Sequence, residues 1–137
     1  MVDFKKLLEK SRTRKQEFWI IIAGSREFNN YDLLCSKMDY LISNTNKTVV
    51  VVSGAARGAD KLGERWAKER GYRVEQYPAD WDQYGKRAGP IRNKQMAEHA
   101  NALVAFWDGV SRGTENMINI MKNLEKSVRV VRFNEWK

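Results

Sequence analysis

Three short apolar runs recur along the chain: "FWIIIAG" (Phe18–Gly24), "TVVVVSG" (Thr48–Gly54) and "ALVAFW" (Ala102–Trp107). An unbroken apolar centre in so short a run is the pattern of a strand buried on both faces, which means a sheet covered by helices on either side. The segments between the runs supply those helices. "YDLLCSKMDYLI" places Leu33, Leu34, Met38, Leu41 and Ile42 at helical spacing, "ADKLGERWAKERG" is amphipathic and stops at Gly71, and Pro90 fits the first turn of "PIRNKQMAEHA". "TENMINIMKNLEK" reads as the last helix of the core, "YRVEQYP" and "SVRVVRF" as two further strands, and "ADWDQYGKRAGP" as the longest irregular segment. Strand alternating with helix predicts a three-layer α/β domain around a five-stranded, mostly parallel sheet. Right-handed crossovers put the first strand at the centre, the second and third to one side, and the fourth across a switch in strand order.

Bulk properties narrow the function. With 137 residues, 42% hydrophobic and 31% charged, the chain fits one globular domain, predicted over residues 17–137. Residues 1–16 are predicted to be a basic helical extension: six of the chain's Lys and Arg residues fall there against Asp3 and Glu9. No apolar stretch approaches the roughly 20 residues of a membrane span, and the first residues lack the apolar core of a secretory leader, so the expected location is cytoplasmic. Cys35 and His99 are each the only residue of their type, which removes an internal disulfide and a Cys/His zinc site, and no metal-binding residues are assigned. The formal net charge of +8 calls for an anionic partner without choosing between a nucleotide and a nucleic acid.

The chemistry gathers after the strands. The successive loops are "GSREF", "SGAARGAD", "PADWDQYGKRAG" and "WDGVSRGT", and in a parallel sheet all four share one edge. Small residues there let backbone N–H groups approach an anion, and helix N-termini add positive potential. Gly54, Arg57 and Gly58 before one helix, and Gly109, Ser111, Arg112 and Gly113 before another, have the makings of two phosphate cradles. Neither matches GxxxxGK[ST] or GxGxxG. Each candidate also has a structural reading. Tight turns need the same glycines; Arg57 has Asp60 three residues away as an ion-pair partner; Trp81 and Trp107 either stack on a base or cover the core edge; Thr114 either contacts a phosphate or caps its helix. Asp80 and Asp82 either hold Mg²⁺ together with a phosphate or act as caps. Ser25 has no histidine near it in sequence, and His99 no acidic or nucleophilic partner.

Taken together, "GSREF", "VSGAARGAD", "YPADWDQYGKRAGPIRN" and "AFWDGVSRGT" resemble the SLOG superfamily, most closely its YspA-like branch, over Phe18 to Phe133. The resemblance implies a Rossmann-like domain with a pocket for a nucleotide or nucleotide derivative over the strand ends. Gly24, Ser25, Arg26, Gly54, Arg57, Gly58, Asp60, Asp80, Trp81, Arg92, Asn93, Asp108, Gly109, Ser111, Gly113 and Thr114 are its expected ligand residues. SLOG proteins also include the LOG phosphoribohydrolases and the Smf/DprA proteins that bind single-stranded DNA. "RNKQMAEHANALVAF" is similar to the LOG segment whose active-site Arg and downstream Met fall on Arg92 and Met96. Of the LOG motif PGGxGTxxE, Gly113 and Thr114 are kept, whereas Met117 takes the place of the carboxylate. The leading expectation is therefore a sensor or regulatory domain for a nucleotide-like ligand. The alternatives are a nucleotide-processing hydrolase of phosphoribohydrolase or N-glycosidase type, with Glu115, Arg92 and Asp80 as catalytic candidates and Asp108 as a further carboxylate, and a Smf/DprA-like nucleic-acid binder. Weak nucleic-acid binding and self-association into a homo-oligomer stay open beside the small-molecule partner.

Overall fold

The computed structural model describes residues 16–133; the predicted basic extension falls almost wholly outside them. Five strands form one sheet in the order β3-β2-β1-β4-β5, and every neighbouring pair is parallel. In chain order the elements are β1 (Glu17–Gly24), α1 (Tyr31–Leu41), β2 (Thr48–Ser53), α2 (Ala59–Arg70), β3 (Arg73–Gln76), α3 (Trp81–Tyr84), a 3₁₀ turn (Gly85–Arg87), α4 (Ala88–His99), β4 (Ala102–Trp107), α5 (Arg112–Asn123) and β5 (Ser127–Arg132). The three-layer Rossmann-like architecture is the one expected. The sheet is wholly parallel rather than mostly so.

Strand alternation explains why the apolar runs have no polar break. Ile20, Ile22, Val49, Val51, Val104 and Phe106 point to one face, where Leu34 and Met38 of α1 and Trp66 of α2 close the core. Ile21, Val50, Val52, Leu103 and Ala105 point to the other, against Met96 and Ala97 of α4 and Met117, Ile118 and Met121 of α5. A strand with a helix layer on each side has no solvent face, so every position must be apolar.

The segment read as irregular is mostly helical. Asp80 caps α3 by accepting the Gln83 backbone N–H at 3.1 Å, and Gly85, at φ 56°, ends that helix. The 3₁₀ turn then leads directly into α4, which begins at Ala88 with Pro90 in its first turn. Closely spaced Gly and Pro obscured these turns because a four-residue helix has too little length for periodicity to register.

Candidate functional site

The strand order reverses between β1 and β4. From β1 the chain moves toward β2 with its helices on one face, and from β4 it moves toward β5 with its helix on the other. The connections diverge and leave a crevice above the C-terminal ends of these two strands. A cavity of about 660 Å³ opens there, walled by the end of β1, the β2–α2 loop, α3, α4 and the start of α5.

The β4–α5 turn forms one side. Its loop is braced by Asp108, whose carboxylate accepts the backbone N–H groups of Val110 and Ser111, both at 2.8 Å, and the Ser111 hydroxyl at 3.0 Å. Partial burial opposes ionisation of Asp108, but these bonds outweigh it and hold the carboxyl below its ordinary range. Ser25 ties the same loop to β1: its Oγ lies 3.0 Å from Ser111 Oγ and accepts the Asp108 N–H at 3.1 Å. Trp107 is half-buried and donates to the Ser111 carbonyl, so it covers the core edge.

Ser111 stands at the N-cap of α5 and supplies no side-chain cap. The first N–H groups of a helix have no partner within it, and nothing crowds the space a side chain on Gly113 would fill. Thr114 is not the cap. It lies in the first turn, is 5% exposed and lines the cavity. From α4, Asn93 donates to the Gly113 carbonyl at 3.2 Å and to Asn116 Oδ1 at 3.0 Å. The start of α5 is thus fixed from both sides and left open toward the crevice.

The β2–α2 turn is built differently. Asp60, the second residue of α2, accepts the Ala56 N–H at 3.2 Å, which places its own carboxylate where the turn would receive an anion. Burial pushes Asp60 up to about 6; the Ala56 bond and the nearby Arg92 and Arg26 act against that rise. Arg92 reaches across from α4 to donate to the Gly54 carbonyl at 2.6 Å and to Asn93 Oδ1 at 3.0 Å. Burial pushes its guanidinium down, with Asp60 opposing. A Cβ on Gly54 would overlap both the Arg92 guanidinium and the Asp60 carboxylate, and one on Gly58 (φ 80°) would overlap the carbonyls of Ser25 and Arg26. Gly58 is required by this close approach of backbone, whereas a side chain at Gly54 would displace the Arg92 and Asp60 side chains.

Of the expected ligand residues, Gly24, Arg26, Arg57, Asp60, Trp81, Arg92, Asn93, Ser111, Gly113 and Thr114 line the cavity. Ser25, Gly54, Gly58, Asp80, Asp108 and Gly109 are not among the residues lining it. Gly109 packs against Arg132, and Asp80 caps α3. Glu115 is exposed on α5, off the cavity wall. Arg57 does not pair with Asp60 but with Glu27 at 2.8 Å, because the Gly58 turn leaves Arg57 outside while Asp60 is buried beneath it. Trp81 is 51% exposed and stands at the rim with its ring near Gly89. Sequence reasoning missed Glu27, Gly89 and Asn116 on the wall; the i, i+3 spacing of Gly113 and Asn116 on one helix face was the available signal for the last. Among the described residues no three His, Cys, Asp or Glu side chains gather to hold a metal ion, and no helix is long and apolar enough to cross a membrane.

This arrangement has relatives. The chain is 32% identical over 123 residues to the Gene 61 protein of Mycobacterium phage D29, covering 85% of this chain and 96% of that protein. Its fold is similar to DNA processing protein A (DprA) from Streptococcus pneumoniae, with a TM-score of 0.70 at 15% identity; the match covers 92% of this chain and 54% of that one, so the chain spans about half its length. A second DNA processing protein A, from Helicobacter pylori and described for its single-stranded DNA binding mode, matches with a TM-score of 0.61 at 16% identity over 91% of this chain and 71% of that one. The protein TM1055 matches with a TM-score of 0.59 at 17% identity over 82% of this chain and 72% of that one. The model of the YspA, cpYpsA-related SLOG family matches residues 18–84, from β1 through α3. With a near-full-length sequence relative and that match together, the chain belongs to the YspA, cpYpsA-related SLOG family.

Proposed function

We propose that the crevice above β1 and β4 binds a nucleotide or nucleotide-derived ligand, and that the chain acts as a sensor or regulatory domain for it. The observation that carries this reading is the open N-terminus of α5, where Ser111 makes no side-chain cap and Thr114, in the first turn, lines the cavity. An anion placed there meets the helix dipole, free backbone N–H groups and a hydroxyl donor together. Arg26, Arg57, Arg92 and Arg112 stand around it against Asp60 and Glu27, so the wall carries a surplus of positive charge. The volume of about 660 Å³ suits one small molecule, and the exposed Trp81 offers a ring face for a base.

Binding rather than hydrolysis is the favoured activity. Met117 stands in the wall where the LOG motif has its carboxylate, and none of Glu115, Asp80 and Asp108 reaches the cavity. A second reading draws on the fold shared with the Helicobacter pylori protein: a single nucleic-acid strand would cross the same mouth, stacking on Trp81. Native mass spectrometry of freshly purified protein, followed by calorimetric titration of a nucleotide panel and a short oligonucleotide, tests both. Retained or micromolar nucleotide, about −8 kcal/mol, supports the first reading. Tight oligonucleotide binding with no mononucleotide affinity replaces it by the second, and folded protein that binds neither removes both.

A further inference from the structure

The two Gly-rich turns face one cavity but are not equivalent. At the β4–α5 turn the helix start is open. At the β2–α2 turn the corresponding place is filled by the protein's own carboxylate, Asp60, which is 6% exposed and bonded through Oδ2 to the Ala56 N–H. An ionised carboxylate accepts hydrogen bonds and donates none, so Asp60 offers a phosphate no donor where the start of α5 offers several. It is nonetheless a cavity wall, and a carboxylate on that wall can accept a further hydrogen bond from a neutral donor of the ligand. Gly54 keeps room for Asp60 and the Arg92 guanidinium side by side. The charged groups around Asp60 are Arg92 from α4, Arg26 from the β1–α1 loop and Glu64 on its own helix, and the two cations favour its ionised form.

We propose that Asp60 is the acceptor for the sugar hydroxyl groups of the ligand, which lies with its anionic end at the start of α5 and its sugar over the β2–α2 turn. This inference rests on the nucleotide reading and deepens it. Asp60 thereby becomes a specificity-determining residue that separates ribonucleotides from deoxy analogues, since a hydroxyl removed from the ligand deletes one hydrogen bond to this carboxylate and leaves it the Ala56 N–H alone.

Calorimetric titration of adenosine 5′-monophosphate and its 2′-deoxy and 3′-deoxy analogues tests this, on the wild type and on Asp60→Asn. At least one deoxy analogue should bind the wild type roughly tenfold more weakly than the parent, and the same analogue should lose little further affinity on Asp60→Asn. Between pH 7.5 and 5, wild-type affinity for the parent nucleotide should fall by up to about tenfold more than that of Asp60→Asn, because Asp60 takes up a proton near pH 6. The phosphate titrates in both proteins and cancels in the comparison. Equal binding of all three nucleotides to the wild type, a comparison that needs no variant, overturns the inference; so does unchanged affinity in Asp60→Asn. Nucleotide binding that ignores Asp60 leaves the nucleotide reading standing, whereas absence of any nucleotide binding removes that reading and this inference together.

Discussion

Asp60 and Asp108 occupy the two Gly-rich turns, and their surroundings act on them in opposite directions. Burial raises Asp60 to about 6, whereas backbone and hydroxyl donors hold Asp108 below its ordinary range despite its partial burial. The sign for Asp60 follows from proton counting. Below about pH 4 both folded and unfolded chains keep the proton and no penalty exists. Between about 4 and 6 the unfolded chain releases it first, so folding stability is lost, and above 6 the penalty is constant. Asp60→Asn should therefore stabilise the fold at pH 7.5 by roughly 1–2 kcal/mol, part of the gain being offset by losing a carboxylate at a helix N-terminus. The gain should vanish near pH 4. Urea denaturation across that range measures it, and a variant less stable than wild type at pH 7.5 contradicts the burial account. A residue that weakens the fold while lining a cavity is what a ligand contact is expected to be. For Asp108 the contribution is present at neutral pH and is lost as pH falls through its lowered value.

At the scale of elements, α3 is the part most sensitive to a single side chain. It has four residues, none buried, and the Asp80 carboxylate as its cap. Asp80→Ala should fray it, release Trp81 from the cavity rim, and weaken nucleotide affinity about two- to fivefold; losing a cap costs about 1 kcal/mol. The melting temperature should change little, because α3 contributes nothing to either core layer. Unchanged affinity with normal Trp81 fluorescence would show that α3 does not depend on this cap. The same element shows where sequence reading ends. The strands and long helices were legible because burial on both sheet faces imposes runs such as Val49–Val52, and long helices repeat their apolar positions often enough to be recognised. A helix as short as α3 offers one cap and one glycine. In the site, Thr114 and Gly113 could be read from the turn itself. Glu27 and Gly89 could not, because their places depend on how loops bring separate elements together. Nor could sequence show that Asp60, expected as one ligand residue among many, fills one of the two turns.

Across the whole molecule, the strand order puts every strand-end loop on one edge, and the switch between β1 and β4 makes a crevice there that no single loop contains. The basic N-terminal residues lie outside the described structure, and we expect them to contribute a separate, weak and salt-dependent affinity for nucleic acid. Deleting residues 1–15 should remove most binding to an oligonucleotide at low salt and leave nucleotide affinity unchanged; persistent oligonucleotide binding would place that activity in the folded domain. The central claim is that an anion sits at the start of α5. Its most direct test is calorimetric titration of adenosine 5′-monophosphate on Thr114→Val beside the melting temperature of the same variant. The substitution keeps the shape of a buried side chain and deletes one hydroxyl. Because Ser111 and not Thr114 stands at the N-cap, the melting temperature should hold within a few degrees while affinity falls about ten- to a hundredfold, the range for a hydrogen bond to a charged group. Unaltered affinity would contradict the account.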